Sequence, residues 1–268
     1  MIHMVDLTSS NLITATRTPS LSDSRFKQRL LLINKHSHNL TLNTTTRPIH
    51  LKMAAGDSTT ANLDQNPGIE QKRIVIQNNH GEKLVGLLHD TGSKDIVVLC
   101  HGFQCTKEYN MMVELAFGLE KHGISAFRFD FSGNGESEGI FEFGNYRKEV
   151  DDLQAVIQHF AAENRVVSAI LGHSKGESSF RVTKESLMER LNTNMHEAGL
   201  KVDQDCKVLT VHGSVDEVIP VEDASAFAKT IPNHELRIIE GANHGYTNHR
   251  DELVSVVLNF LKNNMHRA

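Results

Sequence analysis

The sequence predicts an α/β fold with a mostly parallel sheet, because strand-like apolar runs alternate with long amphipathic segments. The runs at 96–100 and 166–171 are continuously apolar, which is typical of strands covered on both faces of a sheet. Between them, residues 145–163 carry apolar side chains at helical spacing. Strands that alternate with helices in this way form βαβ units, which build parallel sheets.

The other segments extend the alternation. Residues 73–76 and 83–89 flank a polar turn and predict an antiparallel hairpin in front of the parallel sheet. The further predicted strands are 124–131, 208–211 and 236–239, and the further predicted helices are 106–122, 183–201, 221–231 and 252–261. In such sheets chemistry collects at the carboxyl ends of the strands.

Charge is distributed unevenly along the 268 residues, whose net charge is −5. Residues 1–56 carry seven Lys or Arg and two acidic groups, about +5, which leaves 21 basic and 31 acidic groups, or −10, for the remainder. The same stretch holds 14 Ser or Thr and has no sustained period, which predicts a disordered leader or a plastid transit peptide. The alternative is a non-functional extension ahead of a true start at Met53.

We therefore predict a leader over 1–56, a polar linker over 57–68 and an α/β domain over 69–264. The location is the chloroplast stroma if the leader is a transit peptide, and the cytoplasm otherwise. No run approaches the 18 apolar residues of a membrane span, and the acidic balance gives no footprint for nucleic acid. Cys100, Cys105 and Cys206 lack the spacing of a disulfide framework or a structural zinc site.

Strand 166–171 runs into a G-x-S-x-G motif over residues 172–176. This motif forms a sharp turn that raises a strained serine above the sheet edge. The motif alone is weak because glycine and serine are common. Its position directly after a buried strand favours a nucleophile over a chance turn, so we predict Ser174 as the nucleophile.

A serine nucleophile needs a general base and a group that orients this base. Asp216 follows the next predicted strand and His244 follows the strand after that, which is the triad order of α/β-hydrolases. We predict His244 as the base and Asp216 as its orienting acid, with Glu217 and Glu240 as alternative acids. The neighbouring histidines are expected to shape the site rather than carry the proton: His101, His173 and His212.

Acyl transfer also needs two backbone N–H groups that face the developing oxyanion. One normally belongs to the residue after the nucleophile, here Lys175. The other belongs to the loop after an early strand, where the Phe103 amide is the candidate; its ring either walls the acyl site or packs in the core. The glycine-rich stretch 129–137 lacks the lysine and spacing of a phosphate loop, so nucleotide binding is not predicted, and Asp130 and Glu136 are expected to bond backbone amides there.

Taken together, HGF, FDFSGNGES, GHSKG, HGSVDEVIP and GANHGY resemble the motifs of plant α/β-hydrolases of the serine aminopeptidase-like type, whose relatives include cinnamoyl and feruloyl esterases. The resemblance covers about residues 69–264. It implies an α/β-hydrolase fold, a catalytic Ser174, Asp216 and His244, and an oxyanion hole from the Phe103 and Lys175 amides. It implies no metal or organic cofactor.

Two features depart from that family. Glu177 stands where a small residue is usual, which places negative charge near the oxyanion. Residues 177–206 are too few for the strand, helices and lid expected between elbow and acid. We therefore expect a fold that lacks one strand–helix unit and most of the lid, with 207–211 directly beside 166–171 and a single crossover helix over 183–201.

The sequence thus predicts a serine hydrolase that cleaves a carboxylic ester, and less readily an amide, through an acyl-Ser174 intermediate. The expected partner is a small-molecule ester, without nucleic acid. The alternative is a catalytically impaired scaffold, a shortened isoform that binds a small ligand or a protein. Neither the acyl group nor the oligomeric state follows from the sequence.

Overall fold

The computed structural model describes residues 1–6, 70–173 and 194–265 of the chain. These residues form one eight-stranded sheet with the order β2-β3-β5-β4-β6-β1-β7-β8. The strands are β1 Ile2–Asp6, β2 Lys72–Gln77, β3 Lys83–His89, β4 Asp95–Cys100, β5 Ser125–Phe129, β6 Val166–His173, β7 Lys207–Gly213 and β8 His234–Ile239. The described helices are α1 Asn110–Lys121, α2 Tyr146–Ala162, α3 Met195–Leu200, α4 Val221–Thr230 and α5 Arg250–Met265.

The sheet is mixed, with parallel strands at its centre. β4 pairs in parallel with β5 and with β6, and β7 pairs in parallel with β8. β2 and β3 form the predicted antiparallel hairpin, which joins the sheet through β5. The predicted α/β architecture with a hairpin in front is therefore confirmed.

Two apolar cores cover the faces of the sheet and explain the continuous apolar run of β4. Val97 and Leu99 belong to the core that contains the buried faces of α1 and α5. Ile96 and Val98 belong to the opposite core, which contains α2. Because successive strand side chains point to opposite faces, a strand covered on both sides needs an apolar residue at every position. The stripe predicted on α2 packs in that second core: Val150, Leu153, Val156 and Phe160.

The centre of the sheet differs from the prediction in one strand. Residues 207–211 were expected directly beside 166–171, but β1 lies between β6 and β7 and runs antiparallel to both. The physical reason is the backbone: β6 and β7 each pair with one parallel neighbour, and the facing edges need partners for their N–H and C=O groups. An inserted strand supplies partners to both edges.

The leader prediction is altered for residues 2–6 alone. These residues are a strand of the domain, whereas 7–69, which hold the rest of the predicted leader and the linker, lie outside the described residues. Residues 174–193 also lie outside them, so only α3 represents the predicted helix over 183–201. Among the described helices, none is both long and apolar enough to cross a membrane.

Candidate active site

The carboxyl ends of β4, β6, β7 and β8 lie at one edge of the sheet, because these four strands run in the same direction. Asp216 lies three residues beyond β7 and His244 follows β8, as predicted from their positions in the chain. The elbow is described as far as His173, the last residue of β6. Three residues of the sequence prediction lie outside the described residues: the predicted nucleophile Ser174, the predicted oxyanion donor Lys175, and Glu177, which departs from the family motif.

Asp216 and His244 form a direct hydrogen-bonded pair. His244 Nδ1 lies 3.0 Å from Oδ1 and 2.9 Å from Oδ2 of Asp216. The Asp216 side chain is 1% exposed and that of His244 is 14% exposed. Because Nδ1–H donates to the carboxylate, Nε2 of the neutral ring keeps a lone pair and can accept a proton.

The local backbone holds Asp216 as an anion. Its Oδ1 accepts the N–H groups of Val218 at 2.9 Å and Ile219 at 2.8 Å. Burial alone would raise the pKa of this carboxyl, but the hydrogen bonds from His244 and from the two amides outweigh burial. The pKa of Asp216 therefore lies well below its usual range, and the site contains a fixed negative charge behind the imidazole.

Glycine at position 213 lets the two loops approach each other. A Cβ at Gly213 would lie 2.2 Å from the backbone oxygen of Ala242, which a side chain could not tolerate. The loops are then joined by two hydrogen bonds: Val215 N–H donates to Ala242 O at 3.1 Å, and Gly241 N–H donates to Ser214 Oγ at 2.8 Å.

Tyr246 anchors the histidine loop, a role that sequence reasoning missed. Its ring is fully buried, and its hydroxyl donates to Val211 O of β7 at 2.7 Å. Its backbone has φ of 52°, a left-handed conformation that is uncommon for a bulky residue. The only sequence signal was the tyrosine that closes GANHGY, two residues after His244.

The end of β6 touches the histidine loop. His173 Nε2 lies 3.4 Å from His244 O, and the two ring centroids are 5.0 Å apart. The His173 ring also stacks on Tyr109, with the two centroids 5.7 Å apart. Burial lowers the pKa of His173 well below its usual value, so this ring is neutral and fills space beside the elbow. This geometry agrees with its predicted role in shaping the site.

The other candidate groups occupy different positions. Glu217 Oε2 accepts the backbone N–H of His244 at 3.1 Å and thus supports the loop rather than the ring. His212 is fully buried, and its Nε2 lies 3.0 Å from Ile219 O and 3.6 Å from Asp216 Oδ2. Burial lowers its pKa. The ring hydrogen bond of His244 is therefore to Asp216.

The loop after β4, which carries Phe103, is fastened by His101. Phe131 N–H donates to His101 Nε2 at 3.2 Å, so the ring proton is on Nδ1, which donates to Gly102 O at 2.8 Å. The residue after Phe103 is Gln104, with φ of 52°, so the chain turns sharply here. The Phe103 ring contacts Phe141 and Phe143, with centroids 5.6 and 5.4 Å apart.

A buried ion pair also supports the loop that carries Phe103. Lys107 Nζ lies 2.7 Å from Asp130 Oδ2 and 2.6 Å from Glu136 Oε1. Asp130 accepts the backbone N–H of Lys107 at 2.7 Å and of Glu136 at 3.0 Å, as predicted. The prediction for Glu136 was wrong: its carboxylate pairs with Lys107 and Arg73, because these cations reach it where the turn exposes it.

In the part of the chain that the structure describes, no group of three or more His, Cys, Asp or Glu is placed to hold a metal ion. The cluster at the sheet edge is instead an acid–imidazole pair beside a turn and an amide-bearing loop. That combination suits proton transfer and oxyanion binding.

The sheet order and these loops define an α/β-hydrolase fold. Residues 91–179, from the turn before β4 through the elbow, match the family described as "Serine aminopeptidase, S33". The comparison with curated proteins returned no match.

Solved structures of hydrolases share the fold. The esterase Est1E from Butyrivibrio proteoclasticus, solved with ferulic acid, has a TM-score of 0.62 at 20% identity over 72% of this chain and 100% of its own. An esterase from Pyrococcus furiosus has a TM-score of 0.58 at 20% identity, over 73% and 90% of the two chains. A serine hydrolase from Xanthomonas campestris, described as lacking a lid, has a TM-score of 0.53 at 18% identity, over 74% and 97%.

These likenesses confirm the predicted α/β-hydrolase fold. With the family match, they support the prediction of an enzyme by family.

Proposed function

We propose that this protein is a serine hydrolase that cleaves carboxylic esters, and amides less readily, through an acyl-Ser174 intermediate. The observation that carries the proposal is the Asp216–His244 hydrogen bond, which lies beside the residue that precedes Ser174. The buried, amide-held charge of Asp216 stabilises a protonated His244. The G-x-S-x-G motif supplies a serine at the end of β6, where such a base can serve it.

In the proposed reaction, Ser174 Oγ bonds to the ester carbonyl carbon while its proton passes to His244 Nε2. The carbonyl oxygen becomes an oxyanion, which the amides of Phe103 and Lys175 bind. The proton then passes from His244 to the leaving alcohol as the C–O bond breaks. A water molecule repeats the sequence on the acyl-serine and releases the acid.

Three phenylalanines favour an aromatic or otherwise apolar acyl group. Phe103, Phe141 and Phe143 are all partly exposed, and the ring of Phe103, on the proposed oxyanion loop, contacts the other two. Aromatic rings attract each other in such edge and tilted arrangements. The ferulic acid bound to the Butyrivibrio esterase is an aromatic acid, which agrees with this assignment.

A fluorophosphonate tests the proposal directly, because it reacts with an activated serine irrespective of the acyl group. The full chain is expected to be labelled at Ser174, and Ser174→Ala is expected to remain unlabelled. His244→Gln should lose most of the labelling rate and should retain the circular dichroism spectrum of the wild type. The same proteins are then assayed on 4-nitrophenyl acetate and 4-nitrophenyl hydrocinnamate.

Absence of labelling in a chain with cooperative thermal unfolding would overturn the proposal. In that case the catalytically impaired scaffold becomes the better account. Its expected property is an increase in Tm with a bound aromatic acid, without turnover of either ester.

A further inference from the structure

β1 occupies a slot between two strands that carry the proposed machinery. Its five residues pair with residues 169–173 of β6 on one side and with residues 207–211 of β7 on the other. β6 leads into the elbow, and β7 leads into the loop of Asp216. The slot therefore lies between the strand that leads to the proposed nucleophile and the strand that leads to the proposed acid.

β1 is held in the slot by backbone pairing on both sides. A strand with neighbours on both sides satisfies its own N–H and C=O groups and those of both flanking edges. At the present separation of β6 and β7, their facing edges would lack partners without an occupant, at the centre of the sheet and between the two apolar cores. Recognition by main-chain hydrogen bonds of this kind also operates when a separate peptide adds a strand to a sheet.

The occupant also sets a distance and a register. Neighbouring strands lie about 4.8 Å apart, so one intervening strand places β7 about 10 Å from β6. Ile2 pairs with His173 on one side and with Val211 on the other, so it aligns the end of β6 with β7 just before Asp216. Direct pairing of β6 with β7 would move Asp216 toward the elbow by about one strand spacing.

Met1 ties this strand to the acid loop itself. Its side chain is buried against Ile219 and Ala224, and its nitrogen lies 3.6 Å from Asp216 Oδ2. Ile219 is one of the two residues whose amides hold the Asp216 carboxylate. Met1, at the end of β1, thus contacts a residue whose amide holds the acid of the proposed triad.

We propose that the space between β6 and β7 is a binding site for one extended antiparallel strand, filled in this structure by residues 2–6, and that this strand is the spacer that positions Asp216 and His244 relative to the elbow. The binding part stands on the sheet pairing alone, and the spacer part rests on the proposed function. A form of the chain without these residues, such as one that starts at Met53, would leave the slot open to the same segment supplied as a peptide.

Hydrogen exchange on the full chain tests the binding part. The amides of 169–173 and 207–211 that face β1 should be protected in the wild type and in His3→Ala. They should lose protection in His3→Pro, because proline has no N–H and is excluded from central strands. Protection of β4 and α1 in the same sample reports that the domain remains folded. Equal exchange of these amides in the wild type and His3→Pro would overturn the proposal.

A cleaved chain provides a second test that does not depend on whether His3→Pro folds. A specific protease site is inserted after Gly56, and the purified full-length protein is cut after folding. The fragment that contains β1 should remain bound in gel filtration, and an excess of a peptide of residues 1–6 should displace it. The same peptide with proline at positions 3 and 4 should not. Immediate release of the fragment with unchanged Tm would contradict a strand site.

Activity then tests the spacer. Where hydrogen exchange shows β1 displaced, kcat on 4-nitrophenyl acetate should fall about 100-fold, since small misplacements of catalytic groups have effects of that size. Unchanged kcat with the strand displaced would overturn the spacer role. A wild type that binds the strand but fails to react with fluorophosphonate would overturn the proposed function and leave the strand site standing.

Discussion

Asp216 contacts His244 Nδ1 with both carboxylate oxygens, at 3.0 and 2.9 Å. The adjacent Glu217 bonds only the backbone N–H of the same histidine. If Asp216 orients the base, Asp216→Asn should lower kcat on 4-nitrophenyl acetate by about 10³–10⁴, because an amide that donates to the ring favours the wrong tautomer. Glu217→Gln keeps an oxygen acceptor and should lower kcat by less than about tenfold. Similar losses in both variants would contradict the assignment of Asp216.

The pair of Lys107 and Asp130 should contribute strongly to stability. Their side chains are 2% and 0% exposed, and the pair joins the loop that carries Phe103 to the glycine-rich stretch 129–137. Lys107→Met would leave the Asp130 carboxylate buried without its cation, so the free energy of unfolding should fall by about 3–5 kcal/mol in urea titrations. Arg73→Ala removes an exposed cation from the same network and should cost less than about 1 kcal/mol. Equal stability of the two variants would show that the buried pair is dispensable.

Stability should fall as pH decreases, and His234 should account for part of the slope. Burial lowers the pKa of His234 to about 4, although the nearby Glu235 opposes the change. An unfolded histidine titrates near 6.5, so between about pH 6.5 and 4 the unfolded chain binds more protons and stability declines.

Urea titrations at several pH values check this window. His234→Gln should show a shallower decline than the wild type between pH 6.5 and 4.5. Burial also lowers the pKa values of His173 and His212. The stability of both proteins should therefore still decline to some extent as the pH falls. Parallel curves for the wild type and His234→Gln would contradict a contribution from His234.

The phenylalanine cluster should determine acyl preference. Phe141→Ala and Phe143→Ala should lower kcat/KM for 4-nitrophenyl hydrocinnamate by about 10–200-fold relative to 4-nitrophenyl acetate. The matched control is Phe141→Leu, which keeps apolar bulk and should lose less. A uniform decrease on both esters would show that these rings support the loop and do not contact the acyl group.

Much of the fold could be predicted from local sequence patterns. The apolar runs of β4 and β6 and the stripe on α2 are long and periodic, and both cores use them as expected. β1 could not be predicted in this way. Ile2–Asp6 is only five residues long, lies in a Ser- and Thr-rich region, and owes its structure to partners far along the chain. Local propensity is weak evidence for such a strand, since pairing decides its conformation.

The candidate site, too, could be predicted only in part. The positions of Asp216 and His244 followed from strand ends, because parallel strands bring their carboxyl ends to one edge. The contacts that support the site could not be predicted from the strand ends. The hydroxyl of Tyr246 reaches Val211 O only after the chain turns through a left-handed residue. The carboxylate of Glu136 likewise finds Lys107 through tertiary structure rather than through its own turn.

The place of β1 also orders events during synthesis. Ile2–Asp6 is made before both of its partners, which are completed only when residues 173 and 213 have been added. Pairings between distant segments form slowly, and an apolar strand that waits for them is exposed to aggregation. Closure of the sheet centre is therefore expected to be a late, rate-limiting step, and the yield of soluble protein should depend on how well the nascent segment is protected until β7 emerges.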